Sequence, residues 1–173
     1  MLVGLPGAGK STVGAMVADR LGCTFIDFDD EISRRTGLDI PQLFAQRGEP
    51  AFRQLEHELT EEFASAPGMI LAPGGGWMAN PANPALLRHR SRIIHLRVGI
   101  DAALARLGPS VADRPLLATR DPKTALERLW VEREPIYRTA DAEIDTEVVD
   151  LQSLTALITS LATHWGWRVG LRP

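Results

Sequence analysis

The residues Gly4-Leu5-Pro6-Gly7-Ala8-Gly9-Lys10-Ser11 match the pattern G-x-x-x-x-G-K-[ST]. They fall between a short apolar run, Met1 to Val3, and a stretch with helical periodicity. The pattern narrows the fold sharply, because a strand must end and a helix begin within it. Its residue types follow from phosphate chemistry. Backbone N–H groups of Gly7, Ala8 and Gly9 can curl around an anion, and Ser11 and Thr12 open a helix whose positive end faces it. Lys10 reaches the β and γ phosphates, and the Ser11 hydroxyl ligates Mg²⁺. A glycine-rich turn with no ligand needs neither the lysine nor the hydroxyl. The chain is therefore expected to bind a nucleoside triphosphate with Mg²⁺.

At 173 residues, 45% of them hydrophobic, the chain suits one domain spanning 1–173 with a real core. The net charge is −3 and the basic residues are scattered, so the electrostatic footprint of a nucleic-acid binder is missing. The single cysteine, Cys23, cannot close an intramolecular disulfide; it reads as a small buried hydrophobe in a reducing compartment. No apolar run approaches a membrane span, and no basic stretch followed by an apolar block opens the chain. The expectation is a cytoplasmic protein. The first strand is short for a central strand, which is consistent with a few missing N-terminal residues.

Val13, Met16, Val17 and Leu21 recur at helical spacing, Gly22 ends that helix, and Cys23 to Phe28 reads as a buried strand. Short helices are expected over Asp29 to Arg35 and Ile40 to Gln46, and Pro50 opens a long amphipathic one with Phe52, Leu55, Leu59 and Phe63 on one face. Met69 to Ala72 is a strand running into Pro73-Gly74-Gly75-Gly76. Ala85 to Arg90 reads as a helix and Ile93 to Val98 as a strand. Asp101 is read as the cap of a brief helix, Pro109 to Arg120 as a loop, and Asp121-Pro122 as the start of a helix reaching about Ala140. A last strand, Ala142 to Asp145, precedes a helix striped by Leu151, Leu154, Ile158 and Leu161. Alternating strands and helices imply a parallel sheet with ligands at the carboxyl ends of its strands.

Which phosphate chemistry follows depends on the acidic residues. The strand Met69 to Ala72 ends in proline and glycines rather than the Asp that often holds Mg²⁺, so the carboxylate is sought in Asp27-Phe28-Asp29. In extended chain i and i+2 face the same way, which would aim both carboxylates at one site. Asp27 is assigned to the metal and Asp29 to an attacking hydroxyl, leaving Asp30 free to cap the following helix. Arg53 precedes Glu56 by three residues. That spacing fits a surface salt bridge and equally a guanidinium held rigid for a carboxylate. Arg114 lies in the long loop, where it can close over phosphates, and Arg133 is a second anion clamp or a helix-surface charge. Gly74, Gly75 and Gly76 admit close backbone approach to a small ligand. The histidines show no metal-ligand spacing. Trp77 is a candidate pocket wall; Trp130, Trp165 and Trp167 read as packing.

Taken together, the chain resembles the shikimate kinase family. The match rests on Gly4 to Ser11, Asp27-x-Asp29, Gly48-Glu49-Pro50-x-Phe52-Arg53-x-x-Glu56, Gly74-Gly75-Gly76, Arg114-Pro115-Leu116 and Arg133-x-Pro135-Ile136-Tyr137-Arg138. The phosphate loop is common to many proteins, whereas the ordered set is specific. The resemblance implies a three-layer α/β/α P-loop fold with a five-stranded parallel sheet of order 2-3-1-4-5. It also implies a substrate-binding helical region at about 29–57, a lid at about 108–121 and a monomer. It further implies transfer of the γ-phosphoryl of ATP to the 3-hydroxyl of shikimate. On this resemblance Asp29, Lys10 and Arg114 are catalytic; Asp29, Arg53, Gly74, Gly75, Gly76 and Arg133 bind shikimate, the arginines through its carboxylate. Gly7, Ala8, Gly9, Lys10, Ser11, Thr12 and Arg114 bind ATP, and Ser11 and Asp27 the metal. A gluconate-type kinase would share the phosphate loop, but the paired arginines favour shikimate; a noncatalytic ATP- or shikimate-binding module would not need the whole set. Two stretches depart from the family. Asp145-Thr146-Glu147-Val148-Val149 lacks the basic or amide residue often found near the adenine, and the tail 164–173 has no family counterpart.

Overall fold

The computed structural model describes residues 1–66, 68–87 and 89–167. Its strands are β1 (Leu2–Val3), β2 (Thr24–Asp27), β3 (Met69–Ala72), β4 (Ile94–Arg97) and β5 (Ala142–Asp145). Its helices are α1 (Lys10–Leu21), α2 (Phe28–Thr36), α3 (Ile40–Ala64), α4 (Ala82–Leu87), α5 (Ile100–Leu107), α6 (Pro122–Tyr137) and α7 (Leu151–His164). Single 3₁₀ turns occupy Trp77–Ala79 and Gly108–Val111. The expected three-layer α/β/α P-loop arrangement is present, with every recorded strand pairing parallel.

The ladders run in two groups, β2-β3 and β1-β4-β5. β1 and β3 lie side by side, so the spatial order agrees with 2-3-1-4-5, but no hydrogen-bonded ladder joins them. β1 has only two residues before Gly4 leaves the strand at φ 149°. The core centres on the strands, with Leu2, Leu96 and Ile144 packed among Val17, Leu21, Leu154 and Ile158 of α1 and α7.

Several boundaries differ from expectation. β2 stops at Asp27, which caps α2 by accepting the Asp29 N–H at 2.9 Å; Asp30 is left out of that role. The two helices expected over 40–64 are one run bent at Gly48 (φ 77°, ψ 168°), started by a capping box in which Asp39 and Gln42 bond each other's backbone. α4 lies three residues earlier than expected, and α6 ends at Tyr137. The cap of α5 is Gly99, while Asp101 lies in its first turn and pairs with Lys123. Cys23 is half-buried rather than buried. Trp165 and Trp167 pack against the core, with the Arg92 guanidinium 5.8 Å over the Trp165 ring; the tail beyond 167 lies outside the described residues.

Candidate functional site

Register brings the acidic and glycine segments together. Asp27 pairs with Ala72 at the carboxyl edge of β2 and β3, so the residues that follow each strand meet above the sheet. A Cβ placed on Gly74 would lie 3.6 Å from Asp29 Oδ1. Asp27 and Asp29 do share one site, but not by strand alternation. Asp29 belongs to the first turn of α2, which swings its carboxylate over the phosphate loop.

The loop takes the shape its sequence demands. Gly9 caps α1 in the left-handed region at φ 87°. Gly7, at φ 81°, runs so close to α5 that a Cβ would stand 2.5 Å from the Ala103 carbonyl oxygen. Lys10 is half-buried and donates to the carbonyls of Gly4 (3.0 Å) and Leu5 (3.1 Å); desolvation pushes its pKa down to about 8, so it stays largely cationic at neutral pH. The Ser11 hydroxyl donates to Asp27 Oδ2 at 2.5 Å.

These groups border a cavity of about 560 Å³ that runs from Gly7–Val13 past Asp27 and Asp29 to Arg106, Thr146, Val149 and Leu154. Its far end explains the acidic loop after β5. Asp145 pairs with Arg97, Glu147 accepts the Gly99 N–H at 2.6 Å, and Arg106 donates to the Thr146 hydroxyl at 2.7 Å and carbonyl at 2.8 Å. The side chains of Asp145, Thr146 and Glu147 are thus committed to holding β4, α5 and β5 together. Arg106 is a wall of this pocket that the sequence reading missed; its place in the last turn of a helix expected to end beside the lid was the available signal.

Asp29 lies between this cavity and a smaller one. Its Oδ2 accepts from Arg114 at 2.9 Å, and its Oδ1 is buried without a hydrogen-bond partner. Burial, then the neighbouring Asp27, raises its pKa, against the pull of Arg114 and Lys10. The smaller cavity, about 60 Å³, is bordered by Asp29, Phe44, Arg53, Gly75, Arg114 and Arg133, among others. Arg114 faces Asp29 across it from the expected lid, anchored by the fully buried Leu117, whose N–H bonds the Arg114 carbonyl at 2.8 Å.

Arg53 is gripped by two carboxylates. Its Nη1 donates to Glu56 at 2.6 Å, while Nε and Nη2 share one oxygen of Glu49 at 3.0 and 2.7 Å. Glu56 is 1% exposed, and its other oxygen accepts the Gly74 N–H at 3.0 Å. Burial lifts its pKa to about 7 in spite of the arginine. The helix pair at i and i+3 therefore joins Arg53 to the glycine run and is no loose surface bridge. A Cβ on Gly76 would lie 2.6 Å from Arg53 Nη2, and one on Gly75 3.1 Å from Arg133 Nη1, so both arginines lie against that run. Arg133 is 8% exposed, so it is not a helix-surface charge. Trp77 is fully buried behind the glycines, its indole N–H donating to Thr60 at 2.7 Å, and does not line the pocket.

The shikimate kinase family model matches residues 6–161. The chain belongs to the shikimate kinase family. A shikimate kinase of Thiobacillus denitrificans is 42% identical over 158 residues, spanning 91% of this chain and 86% of its own. The structure of a shikimate kinase from Acinetobacter baumannii in complex with shikimate superposes with a TM-score of 0.89 at 35% identity, covering 96% of this chain and 93% of that one. A gluconokinase from Sinorhizobium meliloti shares only the fold, at a TM-score of 0.53 and 16% identity.

Proposed function

We propose that the chain transfers the γ-phosphoryl of ATP to the 3-hydroxyl of shikimate, giving shikimate 3-phosphate and ADP on the route to chorismate and the aromatic amino acids. The observation that carries this reading is the buried, unpartnered Oδ1 of Asp29, set between the phosphate loop and a pocket lined by Arg53, Arg133 and the glycine run. A carboxylate in that position can accept the proton of a hydroxyl held by a carboxylate clamp on one side while a phosphoryl group arrives from the other.

Each residue then has a task. Gly7, Ala8, Gly9, Lys10, Ser11 and Thr12 hold the phosphates of ATP, and the end of the cavity bordered by Arg106, Thr146 and Val149 receives the base. Asp29, its pKa raised by burial and by the neighbouring Asp27, orients and deprotonates the 3-hydroxyl. Arg53 and Arg133 take the shikimate carboxylate, with Gly74, Gly75 and Gly76 supplying close backbone. Arg114 exchanges its bond to Asp29 for the transferring phosphoryl group once shikimate occupies the carboxylate.

The hydroxyl of Ser11 and the carboxylate of Asp27 fit Mg²⁺, which prefers hard oxygen donors and completes its sphere with water and phosphate. Among the described residues no group of three or more His, Cys, Asp or Glu could hold a metal. Bound there, Mg²⁺ would neutralise charge on the β and γ phosphates.

The reading is of a single kinase unit over 1–173, with its substrate region at about 29–57 and its lid at about 108–121. It acts as a monomer in the cytoplasm on small molecules, without nucleic acid or membrane. No helix among the described residues is long and apolar enough to cross a membrane. Phosphorus NMR of the product tests the reaction: a new monoester resonance coupled to the proton on the ring carbon bearing the 3-oxygen supports the assignment, and phosphate released to water or placed on another hydroxyl refutes it.

A further inference from the structure

The glycine run is clamped from two sides by buried side chains. Glu56 of α3 takes the Gly74 N–H, and Tyr137 of α6 donates its hydroxyl to the Gly75 carbonyl at 2.5 Å. Tyr137 is 1% exposed. Its ring stacks on His95 at 4.5 Å between centroids, and His95 is itself 1% exposed and bonded to Glu143 of β5 at 2.9 Å. Arg133 lies one helical turn earlier on α6, its guanidinium close against Gly75 and near enough to the phenol to act on it electrostatically. One hydroxyl therefore stands at the junction of the glycine run and a substrate arginine, with its ring fixed from behind.

We infer that Tyr137 is a positioning residue for the carboxylate end of the substrate pocket, setting the Gly75 peptide and the Arg133 guanidinium relative to each other. The inference rests on the reading that Arg133 and the glycine run receive shikimate. The Gly75 carbonyl and the Gly76 N–H belong to one planar peptide, so a carbonyl released from its donor turns both. Burial pushes Tyr137 to about 12, which keeps the phenol a neutral donor at any working pH. A packing role alone would be served by phenylalanine. The hydroxyl matters only if the orientation of this peptide and of Arg133 matters.

Tyr137 is the only tyrosine in the chain, which makes a selective test possible. In the full-length Tyr137→Phe variant the KM for shikimate should rise about tenfold, with kcat and the KM for ATP within about twofold of the parent, as expected for one lost hydrogen bond to a buried group. A shikimate KM within about twofold of the parent, or both KM values rising in parallel, overturns the inference. Protein grown with 3-fluorotyrosine provides a readout that does not require the variant to fold. Its single fluorine resonance should move on titration with shikimate and stay in place with ADP; a resonance indifferent to saturating shikimate overturns the inference. If the parent turns over shikimate while both readouts stay silent, only the role of Tyr137 falls. If the parent neither releases ADP with shikimate nor binds it in a calorimeter, the reading of the site falls and this inference with it.

Discussion

Replacing Asp29 by Asn should separate catalysis from stability. The side chain keeps its size but loses the charge that would accept the hydroxyl proton, and loss of a positioned general base costs about 10²-fold or more in kcat, equivalent to about 3 kcal/mol. The phosphate loop holds the nucleotide independently, so the Kd for ATP should stay within about threefold. Two stability effects oppose each other. The pair with Arg114 is lost, but the arginine side chain is 43% exposed, which limits the pair to about 1 kcal/mol or less. The substitution also removes a desolvated charge beside Asp27, an effect of opposite sign. The net change should stay within about 1 kcal/mol, a Tm shift of no more than about 4 °C for a chain of this length. Calorimetric melting and a coupled assay for ADP release, run on one preparation, measure both. Turnover within about fivefold of the parent would remove Asp29 from the base role, and a Tm loss beyond about 8 °C would show that Asp29 chiefly stabilises the fold.

Arg53→Lys keeps the charge but loses the planar fork, so the KM for shikimate should rise by about 10- to 100-fold with the KM for ATP unchanged; equal values in parent and variant would leave Arg53 as a structural ion pair. Gly76→Ala drives a Cβ against the movable end of Arg53, predicting a shikimate KM raised about tenfold and a Tm lowered by less than about 3 °C, whereas a large Tm loss with normal KM would contradict the placement of Arg53. For Glu56, burial lifts the pKa from 4.5 to about 7, so the folded protein holds a proton that the unfolded chain releases. Stability from this group is full below about pH 4.5 and is lost as pH rises through about 7, by roughly 1.4 kcal/mol per unit across that window. Glu56→Gln abolishes this slope. The Tm of the variant relative to the parent should therefore rise between about pH 5 and about pH 8, and a difference independent of pH would show Glu56 ionised throughout.

The ordered motifs carried much of this architecture in local chemistry. The phosphate loop, the strand-helix alternation and the caps at Gly22 and Asp121 depend on nearby residues, and the structure forms them where they were read. What stayed hidden depends on distant partners. Whether Arg53 and Glu56 formed a loose surface bridge or a buried link turned on Gly74, which only the β2-β3 register brings near. The role of Asp27 as the cap of α2 was obscured because its strand ends one residue earlier than its apolar run suggests. Arg106 drew no reading at all, because its partner Thr146 lies 40 residues away. Tyr137 stood in a quoted motif with no role assigned. Its spacing of four from Arg133 put both on one face of α6, but nothing local pointed to the Gly75 carbonyl.

The most direct measurement is ADP release with Mg-ATP in three parallel reactions, containing shikimate, gluconate or neither. Release that depends on shikimate, with the other two near background, is the predicted result, since Arg53, Arg133 and Asp29 then hold the acceptor while Arg114 turns to the phosphates. Release with gluconate alone, or no release with any acceptor despite measurable ATP binding, would contradict the assignment of shikimate as the acceptor.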